Sequence, residues 1–203
     1  MNRLKQMLVL LIGITGFHEA HSQRFEAPIT TIKTNILGAT SGSINLAGEF
    51  TLRRQRTLDD LILSMNLPVS YNPFTFGENK RMKHIAFQPE YRIRKQTSLG
   101  SGFFGINAHY AYYNVGGISL PFKLAPSLRE QRFQGQLYGM GVTGGYYFKI
   151  GKSMGFETTL GAGYAYLNYD VYRCETCGSK LGTEEKNYVG LTRAGFSLVY
   201  TLR

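Results

Sequence analysis

The chain has no tryptophan, only two cysteines, and charged residues make up just 18% of it. Beyond residue 22 it also lacks an apolar run long enough for a membrane-spanning helix, which needs roughly 20 consecutive apolar residues. Each shortage excludes something. Cys174 and Cys177 form a single C-x-x-C with no second Cys pair and no nearby His, so the four ligands of a zinc site are not assembled. No helix follows to lower a thiol pKa for thioredoxin-type chemistry. In an exported loop this pair reads as a local disulfide. No Gly-Lys-Ser follows Gly139-Met140-Gly141, so these glycines do not form a phosphate loop. No cofactor is expected.

What the chain does have is 24 Gly, 14 Tyr and 13 Phe, a composition suited to strands studded with aromatics rather than to helices. At the N-terminus, Arg3 and Lys5 precede the apolar run Met7 to Phe17, and Ala20-His21-Ser22 follows. This is the charge, apolar core and small-residue order of a signal peptide. As a helix the run would cover only about 16 Å, half of a bilayer core. The expected division is a signal peptide over 1–22 and one domain over 23–203. No Cys ends the signal, which argues against a lipoprotein anchor.

The formal charge of +10 falls to +9 when Arg3, Lys5 and Glu19 leave with the signal. These charges are dispersed over turns and loops, so nucleic acid is not the expected partner. An exported basic chain meets lipid phosphate first.

From residue 29 onward, apolar residues recur at every second position in eight segments, the period of a two-faced strand. Ile85, Phe87, Pro89, Tyr91 and Ile93 share one parity; His84, Ala86, Gln88, Glu90, Arg92 and Arg94 share the other. Phe156, Leu160, Ala162, Tyr164 and Tyr166 oppose Glu157, Thr159 and Gly161. In the last segment Tyr188, Ala194, Phe196, Leu198 and Tyr200 oppose Arg193, Gly195 and Ser197. The non-apolar face mixes glycine with single charges of both signs: Lys33, Glu49, Glu90, Arg92, Glu157 and Arg193. That suits a narrow interior filled by paired charges, with the apolar face turned outward.

Connections near Arg53 to Thr57, Lys95 to Gly100 and Lys149 to Met154 are short. Those over Asn72 to Arg81, Asn114 to Arg132 and Arg173 to Lys186 are long; Thr40 to Ser43 is a brief exception among them. Tyrosine and phenylalanine cluster toward the strand ends. The expected fold is all-β: an eight-stranded antiparallel up-and-down transmembrane β-barrel of the outer-membrane type, with short turns in the periplasm.

The motifs Lys33-Thr34-Asn35, Tyr71-Asn72-Pro73-Phe74-Thr75-Phe76, Lys83-His84, Gln88-Pro89-Glu90, Tyr113-Asn114-Val115-Gly116-Gly117, Gly163-Tyr164-Ala165-Tyr166, Tyr172-Arg173-Cys174-Glu175-Thr176-Cys177-Gly178 and Asn187-Tyr188-Val189-Gly190-Leu191-Thr192 cover nearly the whole mature chain. Their order resembles domain-of-unknown-function family 3575, short exported proteins of Bacteroides-type bacteria. The resemblance implies an outer-membrane barrel and carries over no catalytic residue. Phe74 and Met82 stand where members often have Trp, which keeps apolar bulk.

The expected role is non-enzymatic: contact with outer-membrane lipid, lipopolysaccharide phosphate, a surface polymer or fibre-assembly proteins through the long loops. Two alternatives remain at this point. One is a lipid hydrolase using His84 or His109, which share the inward parity and are expected within about two residues of each other. The other is a pore, against which a charge-filled interior argues.

Overall fold

The computed structural model describes residues 29–40, 42–55, 61–76, 80–97, 99–117, 131–173 and 178–202. The proposed signal peptide and the Cys174–Cys177 pair lie outside them. No helix among these residues is long and apolar enough to cross a membrane. The described residues form one antiparallel sheet of ten strand segments: β1 (Ile29–Asn35), β2 (Ile44–Gln55), β3 (Leu61–Asn72), β4 (Thr75–Phe76), β5 (Lys80–Phe87), β6 (Glu90–Gln96), β7 (Gly100–Gly116), β8 (Arg132–Lys149), β9 (Met154–Tyr172) and β10 (Lys180–Thr201).

The pairings return to their start. β1 pairs with β2 and also with β10, through Thr31–Thr201 to Asn35–Ser197. β5 and β6 share the partners β3 and β7 in a constant register, so they are two halves of one stave. The segment expected to run unbroken through residues 82–94 is therefore interrupted at Gln88-Pro89. The reason is local. Gln88 N donates to Pro68 O at 3.1 Å, and Ala108 N donates to Pro89 O at 3.1 Å. In both pairs the reciprocal bond has no donor, because proline lacks an N–H. Two ladder bonds are thus missing on opposite sides of the same dipeptide.

The period-2 pattern becomes two physical faces. Met140 is 69% exposed and Val189 81%, and Leu46, Ile85, Ile106, Leu160 and Phe196 are exposed with them. The opposite parity buries Lys33, Glu49, Glu90, Arg92 and Glu157. Aromatic rings pair along the outer surface, among them Tyr138 with Tyr166 at 5.2 Å and Tyr146 with Phe148 at 4.7 Å.

Three further features differ from the sequence expectation. A five-residue helix, α1 (Ile36–Thr40), follows β1. Asn35 caps it by accepting Leu37 N at 3.1 Å, and Gly42 leaves it at φ 75°, a conformation natural to glycine. No run of helical periodicity could announce a single turn held this way. Next, β10 begins at Lys180, so residues 180–186 are strand rather than loop; they pair with β9 and with no other described strand. Lastly, a bulge between Leu191 and Arg193 shifts the parity of β10. Val189 and Leu191 therefore share the outer face with Ala194, while Tyr188, expected outside, pairs with the inward Ala165.

The broken ladder sets an expectation for backbone dynamics. Amide exchange at Gln88 and Ala108 is expected to be faster than in the β8–β9 ladder, and Pro89→Ala, which restores one donor, to slow it by about threefold to tenfold. Site-resolved hydrogen exchange measures this; unchanged rates in the variant would count against it.

Candidate functional site: a buried charge network

Every stave sends a side chain into the interior, where the side chains form one connected cluster. Its centre is a pair of carboxylates, Glu49 on β2 and Glu157 on β9. Lys33 on β1 bonds both, reaching Glu157 Oε2 at 2.8 Å. Arg94 grips Glu49 in a two-pronged arrangement, Nε to Oε1 at 2.5 Å and Nη2 to Oε2 at 2.6 Å, while the same Nη2 reaches Glu157 Oε2 at 2.7 Å. Arg92 Nη1 donates to Glu157 Oε1 at 2.8 Å and to Glu49 Oε2 at 3.3 Å. Ser64 on β3 adds a bond of 2.6 Å to Glu49 Oε1.

A second node sits on Glu90. Its Oε2 accepts Arg92 Nη2 and Arg193 Nη1, each at 2.7 Å, and Asn66 Nδ2 at 3.2 Å. Its Oε1 accepts the Thr143 hydroxyl of β8. β7 supplies Phe103, whose ring lies under both guanidinium groups, 4.1 Å from Arg92 Cζ and 4.8 Å from Arg94 Cζ. Crowding here dictates a glycine: a Cβ on Gly105 would meet Glu90 Oε1 at 2.8 Å and Thr143 Oγ1 at 3.0 Å.

All six charged residues expected to fill the interior, Lys33, Glu49, Glu90, Arg92, Glu157 and Arg193, are in this cluster. Sequence reasoning placed Arg94 on the correct parity but left it out of the network, and it missed Phe103 altogether. Arg94 lies beside a turn, where a charge reads as a solvated end. Phe103 is an apolar residue on a polar parity, and its only signal was the shared parity with Gly105, Asn107 and His109.

The two histidines are separated. Strand register places His84 opposite Tyr113, whereas His109 continues the register opposite Gln88, four residues away along the stave. At a strand rise of about 3.3 Å per residue that is roughly 13 Å, so the expected juxtaposition is not formed. His84 Nε2 lies 3.1 Å from Ser70 Oγ. His109 packs against Asn107 Oδ1 at 3.2 Å, and Gly139 makes room for its ring. No cluster of three or more metal-binding side chains occurs among the described residues.

The cluster divides the interior. Toward the short connections lies a cavity of about 160 Å³ bounded by Arg94, Ser101 and Tyr147. Toward the long ones lies a cavity of about 290 Å³, reached by Asn66, Gln88, Thr159, Arg193 and Ser197.

With this geometry in view, the family is decided by a match over residues 7–202 to the model described as protein of unknown function (DUF3575). The chain belongs to the DUF3575 family. Neither a curated protein nor a solved structure matches it. Within this DUF3575 protein the charge cluster is the most heavily bonded set of side chains described.

Removing one carboxylate from such a cluster strands its cations. Glu49→Gln keeps the volume but takes from Lys33 and Arg94 one of the two carboxylates each of them bonds, and is expected to destabilise the chain by about 3–5 kcal/mol. Glu185→Gln on the exposed end of β10 is expected to change nothing measurable. Comparing the denaturation midpoints of the two variants tests this; equal midpoints would refute a structural role for the cluster.

Proposed function

We propose that this DUF3575 protein is an exported, eight-staved transmembrane β-barrel of the bacterial outer membrane, without enzymatic activity, whose long-loop end contacts a surface partner. One observation carries the reading: the two faces of the sheet are inverted relative to a water-soluble protein. Large apolar side chains such as Leu46, Ile106, Met140 and Leu160 stand exposed outside, while Glu90 and Arg92, 1% and 0% exposed, sit inside. A hydrocarbon surrounding accounts for both faces, because it covers the apolar band and leaves polar groups to satisfy one another internally. The N-terminal segment 1–22 supplies the export signal on this reading.

The interaction role rests on the long-loop end. There β9 and β10 rise as an extended hairpin, and over residues 180–196 the outer edge of β10 has no partner strand among the described residues. An unpaired edge offers backbone donors and acceptors to an extended segment of another molecule. A surface polymer, lipopolysaccharide phosphate or fibre-assembly protein is the partner class proposed.

The purified mature chain, 23–203, is expected to remain dispersed only with detergent and to insert into lipid vesicles. A monodisperse, folded chain in detergent-free buffer would sink the membrane reading.

A hydrolase reading draws on the Ser70–His84 contact. It lacks a carboxylate bonded to His84 among the described residues, and His109 stands too far off to help. Replacing both histidines with alanine is therefore expected to leave the phospholipid and lipid A profiles of cells unchanged; accumulation of an unprocessed lipid would revive the enzyme.

A further inference from the structure

Among the described residues the interior cluster is not electrically balanced. Four cations, Lys33, Arg92, Arg94 and Arg193, are bonded to three carboxylates, Glu49, Glu90 and Glu157, which leaves one positive charge among these seven side chains. Three of the cations are shared between carboxylates: Lys33, Arg92 and Arg94 each bond at least two of them. Arg193 is different. It makes a single ion pair, Nη1 to Glu90 Oε2 at 2.7 Å, and its side chain keeps 15% exposure.

That exposure faces the larger cavity. Arg193 lines the space of about 290 Å³ on the long-loop side, together with Gln88, Thr159, Ser197 and the floor residues Lys33 and Glu157. Its wall is mixed, with the amides and hydroxyls of Asn66, Gln88, Thr159 and Ser197 set among apolar groups such as Ala47, Pro68 and Ala86. The uncompensated charge, the free part of a planar guanidinium and the hydrogen-bonding groups of the wall thus meet at one place.

We propose that this chamber is a binding site for one small monocarboxylate bearing hydroxyl groups, of the size of a sugar acid, held by the guanidinium of Arg193. The charge selects the valence. A monoanion brings the interior to neutrality, whereas a phosphate dianion would carry it to the opposite sign and restore the same imbalance. The guanidinium fork matches the two oxygens of a carboxylate. The volume sets the size, since it lies at the lower limit of small-molecule pockets. Gln88, Thr159 and Ser197 supply partners for hydroxyl groups.

The test uses the full mature chain in detergent, with sodium galacturonate exchanged for sodium chloride at constant ionic strength, and thermal unfolding as readout. A saturable rise in Tm of about 3 °C is expected with galacturonate, and none with galactose, which has the same ring and no charge. Arg193→Gln makes the interior neutral, keeps an amide for Glu90, and is expected to abolish the rise. Ser197→Leu fills the chamber without touching the charges and is expected to do the same. Equal Tm in galacturonate and chloride, an equal rise with galactose, or an undiminished rise in Arg193→Gln would each overturn the proposal. Because the readout needs no particular membrane partner, its failure leaves the detergent and vesicle test of the barrel reading untouched.

Discussion

The pairing of Glu49 and Glu157 with Lys33, Arg92 and Arg94 inside the closed ladder is the interaction on which the rest depends. These groups come from four staves, and the two at the ends of the chain bring together Lys33 and Glu157, more than a hundred positions apart, because β1 pairs with β10. On an open sheet the same parity would face water, and each charge would be solvated separately. Closure removes the water, and each buried charge then has to find a partner in the protein. The ladder and the cluster therefore support each other: the register fixes where the charges stand, and the charges penalise any register that separates them.

With these charges turned inward, the molecule presents mainly apolar and aromatic side chains along its girth. That inversion motivates the outer-membrane reading and shapes the interior as well. A cluster that touches every stave cannot be a channel of constant width; it leaves one cavity on each side, and the larger one is lined by Arg193, the cluster arginine that makes one ion pair. The weak point of the wall is at Gln88-Pro89, where proline on two neighbouring ladders removes two bonds. Proline is tolerated there because the constant register on either side keeps the stave aligned.

Much of this was legible in the residues. Alternation over Glu90 to Arg94 named the buried and exposed faces correctly, since side-chain direction in a strand follows parity and needs no knowledge of neighbours. Where a bulge intervened, that logic failed: one extra residue at the Leu191–Arg193 step put Tyr188 on the opposite face from the one its numbering implied. Arg94 and Phe103 were harder for another reason. A charge beside a turn and an aromatic on a polar parity each have an ordinary local explanation, and only the presence of Glu49 and Glu157 across the interior gives them their actual one. α1 escaped notice because one helical turn has no periodicity to read; it is held by Asn35 and Asn45, which belong to different strands.

The residues alone settled the all-β class, the two faces of most strands, the identity of six interior charges and membership of the DUF3575 family. All of these follow from patterns two residues long or from motif order, both local properties of a chain. Folding decided which charge meets which, that His84 and His109 stand apart, where the stave breaks, and that one positive charge is left over beside a cavity. Those outcomes depend on cross-strand register and on the closing pair β1–β10, which join residues more than a hundred positions apart and have no counterpart in any short stretch of sequence.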